Sequence, residues 1–418
     1  MPHEPEDAQP ERAAPTAVGA PRSGNAQDRA RSGRGPGKGG GRGRMLILLA
    51  LLVAGLLAVV LLGPKLFGGP KLPADFTGEG RDDMVFEVYP GDSGSVIAQN
   101  LLENGVIADV GMFISAASGN AELAAIQPGF YRLRTEIPAA TAVRMLTDPA
   151  SRVGRLVIPE GKQLDDISAV GSGVVNPGIF SLISDASCVD LNGTEKCVAA
   201  ADLKAAAEQG SLESLSVPDW AREGAGAMGQ SHRRLEGLIA PGTWNIDPSA
   251  SAKEILATLV GASGEGYVKG GILDAATALD MSPYQVLIVG SLVQKEAQPA
   301  DFAKVARVIY NRLASDYNWL EFDSTVNYPL DRQEVATTDQ DRETKTSWNT
   351  YAMPGLPATP ICSPGAEALA AAEKPEPGDW LYFVTIDSDG TTLFTSDYQE
   401  HLANREQALD SGFLDSGR

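Results

Sequence analysis

Histidine is nearly missing from this chain of 418 residues, which holds only His3, His232 and His401. Three histidines give neither a zinc centre nor a Ser-His-Asp triad obvious material, so neither is expected. Basic charge is short as well, with 34 Lys and Arg against 54 Asp and Glu and a formal net charge of −20. An acidic surface repels phosphate backbones, so no nucleic acid is expected as a partner, and it keeps an exported protein soluble. Large aliphatic residues are almost absent from residues 1–44, where Pro, Gly, Ala and Arg dominate. Such a stretch cannot bury enough apolar surface to offset chain entropy and is expected to be a disordered basic tail.

The next stretch lacks charge altogether. Residues 45–63, MLILLALLVAGLLAVVLLG, contain no ionisable side chain. At 1.5 Å per residue a helix of this length spans roughly 28 Å, close to the hydrocarbon thickness of a bilayer, so a transmembrane helix is expected over 45–66. Between residues 22 and 44 lie Arg22, Arg29, Arg31, Arg34, Lys38, Arg42 and Arg44, against the single acid Asp28. That excess marks the cytoplasmic flank and places the rest of the chain outside, anchored by one pass through the cell membrane. With the +3 of residues 1–44 removed, the outward part carries −23. The alternative is a cleaved signal peptide. Its apolar region would be shorter and would end at small residues, whereas Gly63-Pro64-Lys65-Leu66-Phe67 follows here.

After a Pro- and Gly-containing linker, 67–82, the pattern changes. MVFEVYPGD alternates as a strand, SGSVIAQNLLENG and VGMFISAAS have helical spacing, and PGFYRLR reads as a second strand. A helix at TAVRMLTD and a strand at GRLVIPEG extend this unit over 83–161. Residues 162–234 read as a Gly-, Ser- and Ala-rich connector. Within it Cys188 and Cys197 bracket VDLNGTEK, where outside the membrane a disulfide is expected against the alternative of two free thiols. Cys362 is left over in a Pro-rich loop and reads as a small buried residue. A third unit covers 235–410. It holds helices at SAKEILATLVGA, from Ser282-Pro283 to about residue 296, and at ADFAKVARVIYNRLA, then a hairpin through DSDG and a closing helix.

One carboxyl stands out at the end of the apolar run VGSLVQKEAQ, residues 289–298. On a helical wheel Glu296 falls within about 60° of Val289, Leu292 and Val293, while Gln294 and Lys295 point away. A carboxyl on a buried stripe has its charged form disfavoured, as a general acid near neutral pH requires. The competing readings are a side chain fraying into solvent and a structural pair with Arg307 or Arg312. Downstream, LEFDSTVNY (320–328), WNTY (348–351) and GLPATPICSPG (355–365) concentrate Asp, Ser, Thr, Asn and Tyr on loops. Sugar sites need such neutral hydrogen-bonding groups beside one or two carboxyls, although turn chemistry also explains each piece taken singly.

In this order and spacing VGSLVQKEAQ, VARVIYNRL, LEFDSTVNY, WNTY, GLPATPICSPG and DWLYFV resemble the YceG-like family of endolytic murein transglycosylases. From residue 83, EVYPGDSGSVIAQNLLENGVI and PGFYRL resemble more loosely that family's LysM-like module. The resemblance implies an α+β fold: a LysM-like βααβ module, then a mixed helical/β YceG-like catalytic domain, behind one N-terminal transmembrane helix. It implies a membrane-anchored lyase without cofactor or metal that cuts nascent peptidoglycan glycan strands between N-acetylmuramic acid and N-acetylglucosamine, leaving 1,6-anhydro ends. A peptidoglycan synthase complex is the implied partner. Glu296 matches the family's essential glutamate. Asp323 and Thr325 match its strand-binding segment, Asn349 and Tyr351 its N-T-Y motif, and Ser363 lies in the matching Pro-rich segment. Two positions depart from the pattern. Glu321, matched to a substrate-binding position, stands where a neutral glutamine ligand to the sugar is usual, which leaves a hydrolase (muramidase) as the alternative, and Pro241-Gly242-Thr243-Trp244 has lost a carboxylate. A non-catalytic glycan-binding scaffold is the reading outside the enzyme class.

Overall fold

The computed structural model describes residues 74–118, 126–169, 173–330, 332–333 and 337–412. The chain divides into Met1–Leu72 and Pro73–Arg418, and all described residues belong to the second unit. The expected basic tail and transmembrane helix lie outside them. Among the described residues no helix is long and apolar enough to cross a membrane.

The described chain begins with strand β1 (Asp83–Val88), helices α1 (Gly94–Glu103) and α2 (Val110–Ala117), strand β2 (Gly129–Arg134) and helix α3 (Ala139–Thr147). β1 and β2 pair antiparallel, with Phe86 opposite Tyr131. Their period-two pattern turns Phe86, Val88, Tyr131 and Leu133 inward against Leu101, Phe113 and Leu146 of the helices, closing a small core. Ser93 and Asp109 start the helices by accepting from Val96 N and Met112 N. Strand β3 (Arg152–Val153) adds to β2.

Strand β4 (Arg155–Ile158) leaves this unit. The sequence pattern groups it with residues 83–161, yet Leu156 and Ile158 belong to a second, larger core. The reason is its partner, PGTW, which is a strand far along the chain. Between them come strands β5 (Ile167–Ala169) and β6 (Val175–Asn176), helix α4 (Ile179–Ala186), hairpin β7 (Val189–Leu191) and β8 (Thr194–Lys196), and helices α5 (Ala200–Gln209) and α6 (Asp219–Gly226). Strand β9 (Gly242–Asn245) then pairs with β4, Leu156 facing Trp244. The stretch read as a connector is part of the main body, because Ile179, Ile183, Leu203, Val217 and Ala221 pack in the same large core. Cys188 and Cys197 are disulfide-bonded across the open end of the β7–β8 hairpin. At its turn Asn192, in the left-handed region, exchanges two 2.8 Å hydrogen bonds with Asp83 of β1. The stapled hairpin thus ties the large core to the small β1–β3 sheet.

Helices α7 (Ala252–Gly270), α8 (Ile272–Leu279), α9 (Pro283–Glu296) and α10 (Phe302–Ala314) follow. A capping box starts α9: Ser282 accepts from Gln285 N, and Gln285 accepts from Ser282 N, with Pro283 at the first helical position. Residues 286–293 of α9 are all buried, so this helix has no solvent face there. Helix α11 (Asp323–Asn327), strand β10 (Arg332–Gln333) beside β5, helices α12 (Asp339–Glu343) and α13 (Ala366–Glu373), hairpin β11 (Tyr382–Thr385) and β12 (Thr392–Thr395), and helix α14 (Tyr398–Asp410) complete the order. α13 lies directly on α9. A Cβ at Gly290 would meet Leu369 Cδ1 at 3.2 Å and its Cα at 3.5 Å. Gly290→Val is expected to cost about 1–3 kcal/mol in denaturant unfolding, since the added methyls must push the helices apart.

Candidate active site

α9 ends at Glu296 because Ala297 turns extended (φ −140°, ψ 166°) and Gln298 precedes a proline. Glu296 therefore sits where unpaired helix carbonyls point, and that end of the helix dipole is adverse to a negative charge. The residue is half-buried. What closes over its carboxyl is α11, whose Ser324 hydroxyl donates a hydrogen bond to Glu296 Oε1. Burial pushes Glu296 up to about 7; Ser324 opposes this through side chain and backbone, the charge of Asp323 adds to it, and Lys295 opposes it. At neutral pH a large fraction is thus a neutral acid able to give a proton.

The neighbouring groups are already committed. Asp323 accepts from Arg342 Nε at 3.2 Å and Nη2 at 3.1 Å, and from Thr337 Oγ1 at 2.8 Å. The Tyr351 hydroxyl lies beside Asp323, and burial, that carboxylate and Glu296 together raise its pKa. The Arg342 guanidinium lies over the Tyr351 ring, 4.9 Å from its centroid. The charge that weighs most on Glu296 is that of Asp323, a carboxylate locked by an arginine. The arginine pair read as an alternative does not form: Arg307 donates to Glu376 O, and Arg312 to Leu381 O, Trp319 O and Leu320 O. Among the described residues neither arginine reaches Glu296.

The profile of the YceG-like family matches residues 86–407. The chain belongs to the YceG-like family. A protein of Bacillus subtilis (strain 168) named endolytic murein transglycosylase is 26% identical over 360 residues, covering 84% of this chain and 92% of the relative. One of the same name from Streptococcus pneumoniae (serotype 2, strain D39) is 24% identical over 298 residues, 68% of this chain and 51% of the relative. The chain thus spans about half of that streptococcal protein. The crystal structure of a yceG-like protein from Listeria monocytogenes superposes with a TM-score of 0.50 at 25% identity, over 77% of this chain and 98% of that one.

In this YceG-like chain the residues singled out by sequence separate into two groups. Glu296, Asp323 and Tyr351 come together at one end of α9. Thr325, Asn349 and Ser363 are instead fully buried and bonded inward. Thr325 Oγ1 donates to Phe322 O and meets Thr350 Oγ1 at 2.8 Å. Asn349 Nδ2 serves the carbonyls of Asp341, Arg342 and Thr344, and its Oδ1 accepts from Tyr351 N. Asn349 therefore fastens the segment that runs from α12, which carries Arg342, to Tyr351. Ser363 Oγ donates to Ile239 O, while its backbone pairs with Gly161 and Lys162, under α9. Glu321, at φ 53°, accepts from the Tyr317 hydroxyl at 2.8 Å and lies 3.7 Å from Arg312. Sequence reasoning passed over Ser324, Thr337 and Arg342. Ser324 was within the quoted segment LEFDSTVNY, beside the acid that drew notice.

Proposed function

We propose that this YceG-like chain is a lytic transglycosylase that cleaves peptidoglycan glycan strands within their length, with Glu296 as general acid. The observation that carries the reading is the neutral-leaning carboxyl of Glu296, held by Ser324 beside an arginine-paired carboxylate. The Glu296 proton goes to the glycosidic oxygen as the bond to the muramic acid anomeric carbon breaks. The C6 hydroxyl of the same muramic acid then closes on that carbon, and Glu296 takes its proton, which restores the acid and leaves a 1,6-anhydro end. No enzyme nucleophile and no water enter. Asp323 and Tyr351 border the reacting position, and Asn349 and Thr325 hold them in place, so orientation supplies much of the rate.

Glu321 does not favour the hydrolytic alternative. Its carboxylate is engaged by Tyr317 and Arg312. An inverting hydrolase needs a free carboxylate with room for a water, and a retaining one needs a nucleophile about 5 Å from the acid. The finer reading adds a LysM-like glycan-binding module from residue 83, a membrane anchor over 45–66 and a synthase partner at the membrane. It is supported by the strand-helix-helix-strand order, the uncharged run and its basic flank. Digestion of uncrosslinked glycan followed by mass spectrometry tests the reaction. The expected fragments are about 18 Da lighter than hydrolysis products, the mass of the water that never adds; reducing ends in their place would reject it.

A further inference from the structure

A second carboxyl, Glu236, lies deep in the large core and is 1% exposed. Its Oε2 accepts from the Tyr328 hydroxyl at 2.8 Å and from Leu164 N at 3.2 Å. Oε1 has no partner among the described residues. Every element around it offers something. Asp165 faces it from the segment after β4, Arg233 from the turn before it, Tyr284 from the first turn of α9, and Cys362 from the Pro-rich segment. The cation that acts on it, Arg233, is directed elsewhere: it lies 3.5 Å from Asp165 and stacks over Tyr328 and Trp348 at 5.0 and 5.3 Å. Asp165 is further held by His232 at 2.7 Å and Lys204 at 3.3 Å. Glu236 thus has two donors on one oxygen and no bonded cation. An acid in that setting keeps its proton on the other oxygen, Oε1. Burial pushes this carboxyl up to about 7, with Tyr328 and Leu164 opposing.

Tyr328 immediately follows α11, and its backbone N donates to Ser324 O at 3.0 Å. The Ser324 hydroxyl is the one on Glu296. The two carboxyls are therefore joined by a single helical turn, each bonded to a hydroxyl at one end of it.

We propose that Glu236 is a positioning residue for the reaction: as a neutral acid it fixes Tyr328, and through the turn from Tyr328 to Ser324 it sets the hydroxyl that orients Glu296. The proposal rests on Glu296 being the general acid. Ionising Glu236 places an uncompensated charge in the core and loosens Tyr328. Activity then falls at alkaline pH through two deprotonations, of Glu296 and of Glu236, where a purely structural Glu236 leaves one.

The test is the pH dependence of kcat and KM for the full chain and for Glu236→Gln, Glu236→Leu, Tyr328→Phe and Glu296→Gln, with circular dichroism on each. Glutamine still accepts from both donors but cannot ionise. Glu236→Gln is expected to keep kcat within about threefold at pH 6 and to change the alkaline slope of log kcat from about −2 to about −1. Glu236→Leu and Tyr328→Phe are expected to lower kcat by roughly 10- to 100-fold with KM within about twofold. An unchanged slope in Glu236→Gln, or wild-type kcat in Tyr328→Phe, overturns the inference, and both hold should Glu236→Leu fail to fold. Glu296→Gln separates the two levels. If it retains wild-type activity the general-acid reading falls; if it is inactive while Tyr328→Phe is unaffected, only the role of Glu236 falls.

Discussion

Glu296→Gln lowers glycan cleavage by about 10²- to 10⁴-fold while the protein stays folded. Glutamine has the shape to keep the bond from Ser324 but has no proton to give to the leaving oxygen. Because orientation by the rest of the site survives, residual cleavage above background is expected. The stability effect has a definite sign. Glu296 titrates near 7 in the folded chain against an ordinary value of 4.5, so burial favours its neutral form. The stability linked to that neutral form is fully present below about pH 4.5 and is lost as pH rises through 7. Glutamine never ionises, so above pH 7 the variant should melt no lower than wild type. A kinetic defect accompanied by a lower melting temperature would point to a structural role instead.

Asn349→Ala is the largest expected loss of stability, about 3 kcal/mol by denaturant unfolding, with cleavage falling in step. The amide is 1% exposed and satisfies three carbonyls and one backbone N–H. Alanine returns none of these bonds and admits little water, so the buried carbonyls remain unsatisfied. The segment they belong to carries Arg342, the clamp on Asp323, and leads into Tyr351. Asn349→Asp should be nearly as damaging, because a carboxylate cannot donate to three carbonyls. If Asn349 instead met substrate directly, alanine would raise KM and leave the melting transition in place.

The sequence exposed the carboxyl and hid its partners. Apolar periodicity and the Ser282-Pro283 start placed α9 and put Glu296 at its end. The wheel argument reached an enclosed carboxyl for an incomplete reason, since residues 286–293 are buried on every side and Gln294, which the wheel turned outward, accepts from Gly365 N at 2.7 Å. What encloses Glu296 is its place at the helix terminus beneath α11. That contact depends on tertiary packing, as do the clamp from Arg342 and the pairing of β4 with β9, whose Leu156 and Trp244 lie far apart along the chain. Asn349 and Ser363 looked like ligands because polar loop residues look alike in sequence. In the fold both side chains bond inward to backbone carbonyls. Glu236 drew no notice at all, since one glutamate between apolar residues reveals nothing of its burial until Tyr328 and Leu164 are brought to it.

The central claim is that Glu296 is an acid poised near neutrality. The most direct measurement is the carboxyl carbon titration of Glu296 by NMR in selectively labelled protein, assigned by difference against Glu296→Gln. The account predicts a midpoint near 7, as burial and Asp323 together require. A midpoint at the ordinary value of 4.5 would mean a carboxylate already charged at neutral pH, and would contradict it.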